Sequence, residues 1–167
     1  FSGTDRDIAN FLVNDVLERL PKATLEFLLK TSVLDRLCVP LAEAVTGQAD
    51  SRKLLSEIEA SNLFLIPLDR DQNWYRYHGL FADLLRSLLQ KQFGVTVSGL
   101  HQKAAKWLSE NGLASDAVQH ALLAGDTEFA AELVESCCMP LIQQSHITRV
   151  REWLNSLPEE LISRRPR

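Results

Sequence analysis

The sequence predicts a mainly α-helical protein, in which a winged-helix domain with a small β-hairpin is followed by antiparallel helix pairs of tetratricopeptide type. Two observations lead to this fold class. Apolar residues recur with helical period along most of the chain, and the period changes only at residues 63–77, where two short runs flank a polar turn. After Gly94 the pattern is helical throughout. We therefore expect a helical segment over 1–20, a winged-helix domain over 21–93 and a helical region over 94–167.

Four short helices are predicted ahead of the hairpin. Thr4 is suited to begin the first, because an acidic residue follows three positions later, as in a capping box. The side chains expected on the buried face of this helix are Ile8, Phe11, Leu12, Val16, Leu17 and Leu20. Pro21 ends the first helix and suits the first turn of the second, whereas Gly47 ends the third. Asn62 closes the fourth.

The change of period predicts a two-stranded hairpin. Residues 63–68 form a compact apolar run, residues 69–73 form a polar turn, and residues 74–77 are aromatic and alternating. Pro67 favours an edge position for the first strand, since proline cannot donate a backbone hydrogen bond. An isolated hairpin is not stable in water, so we expect it to pack against the surrounding helices.

A helix is predicted directly after the second strand, with His78 at or just before its first turn. Apolar residues with helical spacing occupy positions 80, 81, 84, 85, 88 and 89. Amide groups at the start of a helix lack intrahelical partners, and an imidazole beside them can hydrogen-bond a phosphate. Alternatively, His78 caps the helix or is a half-buried hydrogen-bonding residue. The local pattern alone favours this second interpretation, because a single histidine is a weak functional signal.

The chain beyond Gly94 predicts four further helices. They are expected over residues 100–111, from 115 or 116 to 125, over 127–138 and near 146–156, with the third ending before Pro140. Small residues recur where helices would approach closely, at Ala104, Ala105, Ala117, Ala121, Ala130 and Ala131. This pattern favours pairs of tetratricopeptide type, and a plain helical bundle is the alternative.

Charge and cysteine usage argue against several classes of function. The 167 residues include 18 Lys and Arg and 22 Asp and Glu, for a net charge of −4, which is unfavourable for general binding of nucleic acid. Cys38, Cys137 and Cys138 lack the spacing of metal ligands, so we expect no metal site and free thiols in a reducing cytoplasm. No apolar run is long enough to cross a membrane, and no membrane partner is expected.

Motifs of a complete catalytic site are lacking in the sequence. It contains no GxxxxGK[ST] phosphate loop, no GxSxG and no HExxH. The four histidines, His78, His101, His120 and His146, lie on separate predicted elements, and His120 is expected in a contact between helices. We therefore predict no catalytic residues, no cofactor bound by this chain and no enzymatic activity of its own.

Several short sequence segments of the chain, taken in order, resemble one protein family. They are FSG at 1–3, IANFL at 8–12, FLLKTSVLDRLC at 27–38, AVTG at 44–47, NLFLIPLD at 62–69, WYRYH at 74–78, LFADLLR at 80–86 and LHQKAAKW at 100–107. These segments resemble the central part of the large ATP-dependent LuxR-family transcriptional regulators of MalT type, which belong to the STAND class of signal-transduction ATPases. The resemblance runs from residue 1 to about residue 157.

The resemblance implies a multidomain parent protein, of which this chain is a central fragment. In that family a P-loop ATPase is followed by a helical domain, a winged helix, a helical sensor region and a LuxR-type helix-turn-helix. Residues 1–20 would then be the helical end of the ATPase module. ATP or ADP would be bound by the parent protein, an inducer that the sequence does not identify would act on the sensor helices, and DNA would be bound only by the separate helix-turn-helix.

The resemblance also implies a role for His78. In related STAND proteins a winged-helix histidine, within a Met-His-Asp motif, contacts the β-phosphate of bound ADP and helps to hold the resting state. His78 stands at the matching place, with Tyr77 in place of the methionine and Gly79 in place of the aspartate. It is the expected nucleotide-phosphate sensor of the parent protein, with Arg76 and Tyr77 as candidate supporting residues.

Two other functions are compatible with the sequence. In the first, the helical half is a protein-interaction module and the winged helix is a spacer without a nucleotide role. In the second, the winged helix binds DNA directly through the helix expected over residues 51–61. That helix carries Arg52 and Lys53 but also Glu57 and Glu59, and this mixed charge is unfavourable in the major groove.

Overall fold

The computed structural model of the chain describes residues 7–8, 11–62, 64–71, 73–143 and 147–158. The chain divides into two compact units, residues 1–97 and 98–167. The predicted division, between residues 93 and 94, falls a few residues earlier. Thr4, the expected start of the first helix, lies outside the part of the chain that the structure describes.

The first unit contains four α-helices and a short hairpin within its described residues. The helices are α1 (Lys22–Thr31), α2 (Val39–Thr46), α3 (Ser51–Ala60) and α4 (Gly79–Phe93), and the strands are β1 (Leu65–Pro67) and β2 (Tyr75–Tyr77). A π-helical turn, Leu12–Val16, and a 3-10 turn, Leu17–Arg19, precede α1. The fold class is therefore confirmed: a mainly helical chain with a small antiparallel sheet.

Helix α1 is central to the first unit, because it packs against α2, α3 and α4. The fully buried side chains around it include Phe27, Leu28, Leu29, Leu37, Leu41, Ile58, Phe81 and Leu85. Burying a side chain of this size stabilises a fold by about 1.5–3 kcal/mol. Gly47 ends α2 in the left-handed region, with φ of 73°, as the sequence predicted.

The predicted hairpin is present, and its two strands are antiparallel. Leu65 pairs with Tyr77 and Pro67 pairs with Tyr75. On its other side, Tyr75 exchanges two backbone hydrogen bonds of 2.8 Å with Leu37, so a third extended segment flanks β2. The edge position that Pro67 indicated for β1 is confirmed, whereas the bridge to Leu37 was not predicted.

The buried face predicted for the first helix is wrong in part. Leu12 and Leu17 are buried, but Ile8 is 41% exposed and Phe11 is 58% exposed. The chain winds as a π-helical turn from Leu12 and then as a tighter 3-10 turn. Because these turns have different numbers of residues per turn, a face drawn with the 3.6-residue period does not stay aligned across them.

The second unit consists of helices over its described residues. They are α5 (Val97–Glu110), whose first residue belongs to the first unit, α6 (Ala114–Ala124), α7 (Thr127–Gln143) and α8 (Ile147–Ser156). Helix α7 packs against both α6 and α8. The six alanines predicted at helix contacts are all buried. The tetratricopeptide type of this region stays a prediction.

Helix α7 does not end before Pro140, and that prediction is wrong. The helix begins as expected, with the Asp126 carboxylate accepting the backbone N–H of Phe129 at 3.1 Å, but it continues to Gln143. Proline removes one backbone donor from a helix, whereas the residues on either side can still form their own hydrogen bonds. A single proline therefore weakens the pattern without having to stop it.

Candidate functional site

His78 lies where β2 gives way to α4. Its backbone occupies the N-cap position, with φ of −56° and ψ of 140°. Its N–H donates to the Phe64 carbonyl at 2.8 Å, and its carbonyl accepts the Ala82 N–H at 2.9 Å. The imidazole makes no capping hydrogen bond and is exposed. The backbone of His78 is thus held on both sides, while its side chain faces solvent.

The start of α4 beside His78 is open to an approaching group. The first bond of the helix runs from Ala82 to His78, so the amides of Gly79, Leu80 and Phe81 precede the first intrahelical donor. A Cβ atom placed on Gly79 would meet nothing within 4 Å. With 15 residues, α4 is long enough for the partial positive charge at its N-terminus to attract an anion.

Arg76 and Tyr77, the two candidate supporting residues, face opposite sides of β2. Arg76 is exposed, and so is His78, which lies one residue beyond the end of the strand. Tyr77 is buried, and its hydroxyl lies 2.7 Å from Oγ1 of Thr31. Burial raises the pKa of Tyr77 well above its usual range, so the hydroxyl stays protonated. Tyr77 can therefore support the site only by fixing the strand.

Either hydroxyl could donate in the contact between Tyr77 and Thr31, and we assign Tyr77 as the donor. The single hydroxyl hydrogen of Thr31 is already directed to the Phe27 carbonyl at 2.8 Å. Oγ1 of Thr31 must then accept from Tyr77, since each hydroxyl carries one hydrogen. This chain of bonds ties β2 to the C-terminal turn of α1, just before the strand reaches His78.

Arg86 fixes α4 against the end of α1. Its Nε donates to the Ser32 carbonyl at 2.8 Å, and its guanidinium also reaches Asp35 at 3.2 Å and Asp83 at 3.4 Å. The helix that follows His78 is therefore anchored near its middle. His78 thus lies between β2 and α4, and the positions of both elements are fixed by buried or partly buried hydrogen bonds.

Phe64 is a neighbour of His78 that the sequence analysis did not single out. Its φ is 55°, in the left-handed region, and its side chain is 40% exposed. Its ring centroid lies 6.4 Å from that of His78 in an edge-to-face arrangement, and 5.3 Å from that of Phe81. A single phenylalanine with positive φ belongs to no periodic pattern, so the sequence analysis could not single out Phe64.

Helix α3, the candidate DNA-reading helix, exposes mixed charge. Arg52, Lys53 and Glu57 are all exposed, and Nζ of Lys53 lies 3.8 Å from the Glu57 carboxylate. A lysine beside a carboxylate is a weaker partner for DNA phosphate than an unopposed one. The geometry therefore gives direct DNA binding by this helix no added support.

Two of the four histidines meet in the second unit. Nδ1 of His101 and Nδ1 of His120 lie 2.8 Å apart, and both residues are buried. The sequence placed them on separate helices and expected His120 in a helix contact, but it did not indicate their pairing. The nineteen-residue separation gives no ligand-like spacing, so only the packing of α5 against α6 could reveal it.

Among the described residues, neither a cluster of metal-ligating side chains nor a membrane-spanning helix is present. Cys38 and Cys137 are buried, and burial raises the pKa of the Cys38 thiol. Across the described ranges, no group of three or more His, Cys, Asp or Glu residues could hold a metal ion. None of the helices in those ranges is both long enough and apolar enough to cross a membrane.

Comparison with known proteins identifies the first unit. The profile of the MalT winged helix domain matches residues 13–96. The chain belongs to the MalT winged helix domain family. The family match covers the four helices and the hairpin of the first unit, including His78. It marks the chain as a regulator-type segment that is not itself catalytic, and its first residues overlap the segment predicted as the end of an ATPase module.

The chain is also similar to much longer curated proteins. It is 39% identical over 166 residues to proteins named serine/threonine-protein kinase PknK, from two strains of Mycobacterium tuberculosis and from Mycobacterium bovis. The alignment covers 99% of this chain and 15% of each relative. The similarity therefore concerns one segment of those proteins, the winged helix together with the helices that follow it.

Proposed function

We propose that this chain is the central regulatory segment of an ATP-dependent LuxR-family transcriptional activator in the cytoplasm. In this proposal it couples the nucleotide state of a neighbouring ATPase module, and an inducer sensed by helices, to a separate DNA-binding helix-turn-helix. The observation that carries the proposal is the placement of His78 in a MalT-type winged helix, exposed at the uncapped start of α4. An exposed imidazole beside unpaired amides is suited to a phosphate oxygen.

His78 acts in this proposal as a latch. ADP in the ATPase module would accept a hydrogen bond from the imidazole and favour a closed state, in which the winged helix is held against the ATPase module. Exchange of ADP for ATP would release the winged helix. A nucleotide shifts such an equilibrium only through contacts that differ between the two states. A charge-assisted hydrogen bond contributes about 1.5–3 kcal/mol, which is about 10- to 100-fold in the ratio of closed to open protein.

Arg76 would reinforce the latch through charge rather than through a fixed contact. It is exposed two residues before His78, and its charge has the same sign as the N-terminal end of the α4 dipole. Tyr77 would act indirectly, by holding β2 against α1 through Thr31. The three residues implied by the resemblance thus have different roles in the proposal: phosphate contact, attraction and anchoring.

The test is His78→Ala in the complete protein, with ADP affinity measured by calorimetry and output measured without inducer. We expect ADP affinity to fall about 10- to 100-fold and basal transcription to rise. Lys91→Ala is the matched control, because Lys91 is an exposed cation on the same helix at its far end. Unchanged ADP affinity and unchanged basal transcription in His78→Ala would refute the proposal.

The relatives suggest a second activity that the segment could regulate, protein phosphorylation. Since they are named serine/threonine-protein kinases, the same segment can be proposed to regulate a kinase instead of a DNA-binding domain. The two versions predict the same effect of His78→Ala on ADP affinity. They differ in which basal activity rises, transcription from a target promoter or phosphorylation of a protein substrate by the complete protein.

A groove in the second unit favours the interaction module as a further candidate. Its volume is about 480 Å³, and it is lined by Gln102, Ala105, Lys106, Ser109, Glu110, Ala121, Asp126 and Phe129. In this alternative the isolated chain binds a partner protein without the ATPase core, and His78→Ala leaves ADP affinity unchanged. The latch proposal predicts little partner binding by the isolated chain, so a pull-down with purified chain separates the two.

A further inference from the structure

We propose that Phe64 is the positioning residue that holds the His78 imidazole in place at the start of α4. This inference rests on the proposed phosphate contact of His78 and names a residue that controls it. Phe64 would not touch the nucleotide. Its part is to restrict the imidazole, so that the ring donates in one direction instead of sampling several.

The backbone of Phe64 adopts a conformation that is strained for a bulky residue. With φ of 55° it adopts the left-handed region, which is a genuine outlier for a bulky side chain. Asn62 also has a positive φ, of 50°, but asparagine directly after a helix is a common left-handed residue. Strain of this kind persists where the surrounding structure requires it, and it is frequent at functional sites.

The strained conformation brings two parts of Phe64 to His78. The carbonyl of Phe64 accepts the His78 N–H at 2.8 Å, and its ring meets the imidazole edge-to-face at 6.4 Å between centroids. Both contacts are of the ordinary strength of their kind. Together they constrain the backbone and the side chain of the same residue.

A series of rings carries this constraint from the core to the surface. Tyr77 and Phe81 lie 5.9 Å apart, Phe81 and Phe64 lie 5.3 Å apart, and Phe64 then reaches His78. Phe81 is fully buried, whereas Phe64 remains 40% exposed. The Phe64 side chain is thus only partly buried, against Phe81. Its contact with His78 gives a reason for an aromatic residue at a position where glycine or asparagine would relieve the strain.

The matched set of variants is Phe64→Leu, Phe64→Tyr and Phe93→Leu. Leucine keeps the apolar bulk and loses the ring, and tyrosine restores the ring with a hydroxyl that can point to solvent. Phe93 is equally exposed, at 40%, but has φ of −137° and lies at the other end of α4. It therefore controls for the loss of an exposed aromatic ring from the same unit.

The first measurement is NMR relaxation of the His78 ring in the chain itself, with the resonances assigned through His78→Gln. We expect Phe64→Leu to lower the order parameter of the His78 ring, while Phe64→Tyr and Phe93→Leu leave it close to the wild type. An unchanged order parameter in Phe64→Leu, or an equal loss in Phe93→Leu, would overturn the positioning role without any reference to nucleotide.

The second measurement is ADP affinity in the complete protein. An aromatic contact of this kind corresponds to about a 2- to 10-fold loss of affinity in Phe64→Leu, with recovery in Phe64→Tyr. If His78→Ala weakens ADP binding but Phe64→Leu does not, the positioning role is wrong and the latch survives. If neither variant changes ADP affinity while the NMR effect is present, the latch is wrong and Phe64 positions an imidazole with no nucleotide role.

Discussion

The hydrogen bond between Tyr77 and Thr31 allows a test of how β2 is held beneath the site. Tyr77 donates to Oγ1 of Thr31 at 2.7 Å, and Thr31 donates to the Phe27 carbonyl at 2.8 Å. Both side chains are buried. We compare Tyr77→Phe, Thr31→Val and the double variant, because the direction of the bond predicts that the two single changes are not equivalent.

The magnitudes follow from which polar atom each variant leaves behind. Tyr77→Phe removes a donor while Thr31 keeps its own bond to Phe27, so the expected cost is about 0.5–1.5 kcal/mol of unfolding free energy. Thr31→Val leaves the Tyr77 hydroxyl buried without an acceptor, which costs about 1–3 kcal/mol. The double variant leaves no stranded hydroxyl and should cost no more than Thr31→Val alone.

The assay is urea denaturation of the three variants and the wild type, followed by tryptophan fluorescence. The coupling energy of the cycle is read from the difference between the double variant and the sum of the singles. Strictly additive costs would contradict the direct bond. A Tyr77→Phe cost larger than that of Thr31→Val would contradict the direction of donation.

Two further predictions concern pH and backbone conformation. Burial raises the pKa of both Tyr75 and Tyr77 in the folded chain, so their contribution to stability is present below pH of about 10 and is lost as the pH rises above it. The urea midpoint should therefore fall between pH 8 and pH 11, and it should fall less in Tyr77→Phe; an equal fall would argue against this origin. Gly99→Ala should stabilise the chain by about 0.5–1 kcal/mol, since a Cβ there meets nothing within 4 Å, whereas Gly125→Ala should destabilise it because φ is 78°. Thermal melts check both signs, and a shift in the same direction for the two variants would refute the argument.

The parts of the fold that the sequence predicted are those with a repeated pattern. The stripe of apolar residues after His78 predicted α4, and the alternation at residues 74–77 predicted β2, because many positions report the same period. The bridge between Leu37 and Tyr75 was missed, since one pair of extended residues has no period. The continuation of α7 past Pro140 was missed because one proline removes only one backbone donor and does not have to end a helix.

In the candidate site, too, the features with a sequence pattern were predicted and the features without one were not. Motif position and helix pattern placed His78 at the start of a helix, and the structure adds that its imidazole is exposed while Tyr77 is buried. The geometry of Phe64 could not be predicted, because a single residue with positive φ belongs to no periodic pattern. The pairing of His101 with His120 depends on the packing of two helices, which sequence spacing does not encode.

The anchoring around His78 also limits what the latch can do. Tyr77 and Arg86 fix β2 and α4 whether or not a phosphate is present, so the contact adds one bond to an ordered surface. If the resting equilibrium is about 99:1 in favour of the closed state, losing a bond worth 10- to 100-fold leaves a ratio between about 10:1 and 1:1. His78→Ala should therefore raise basal output only in part, and inducer should raise it further. Full output from His78→Ala without inducer would mean that this one contact supplies nearly all the closing free energy, which a single hydrogen bond on an ordered surface cannot do.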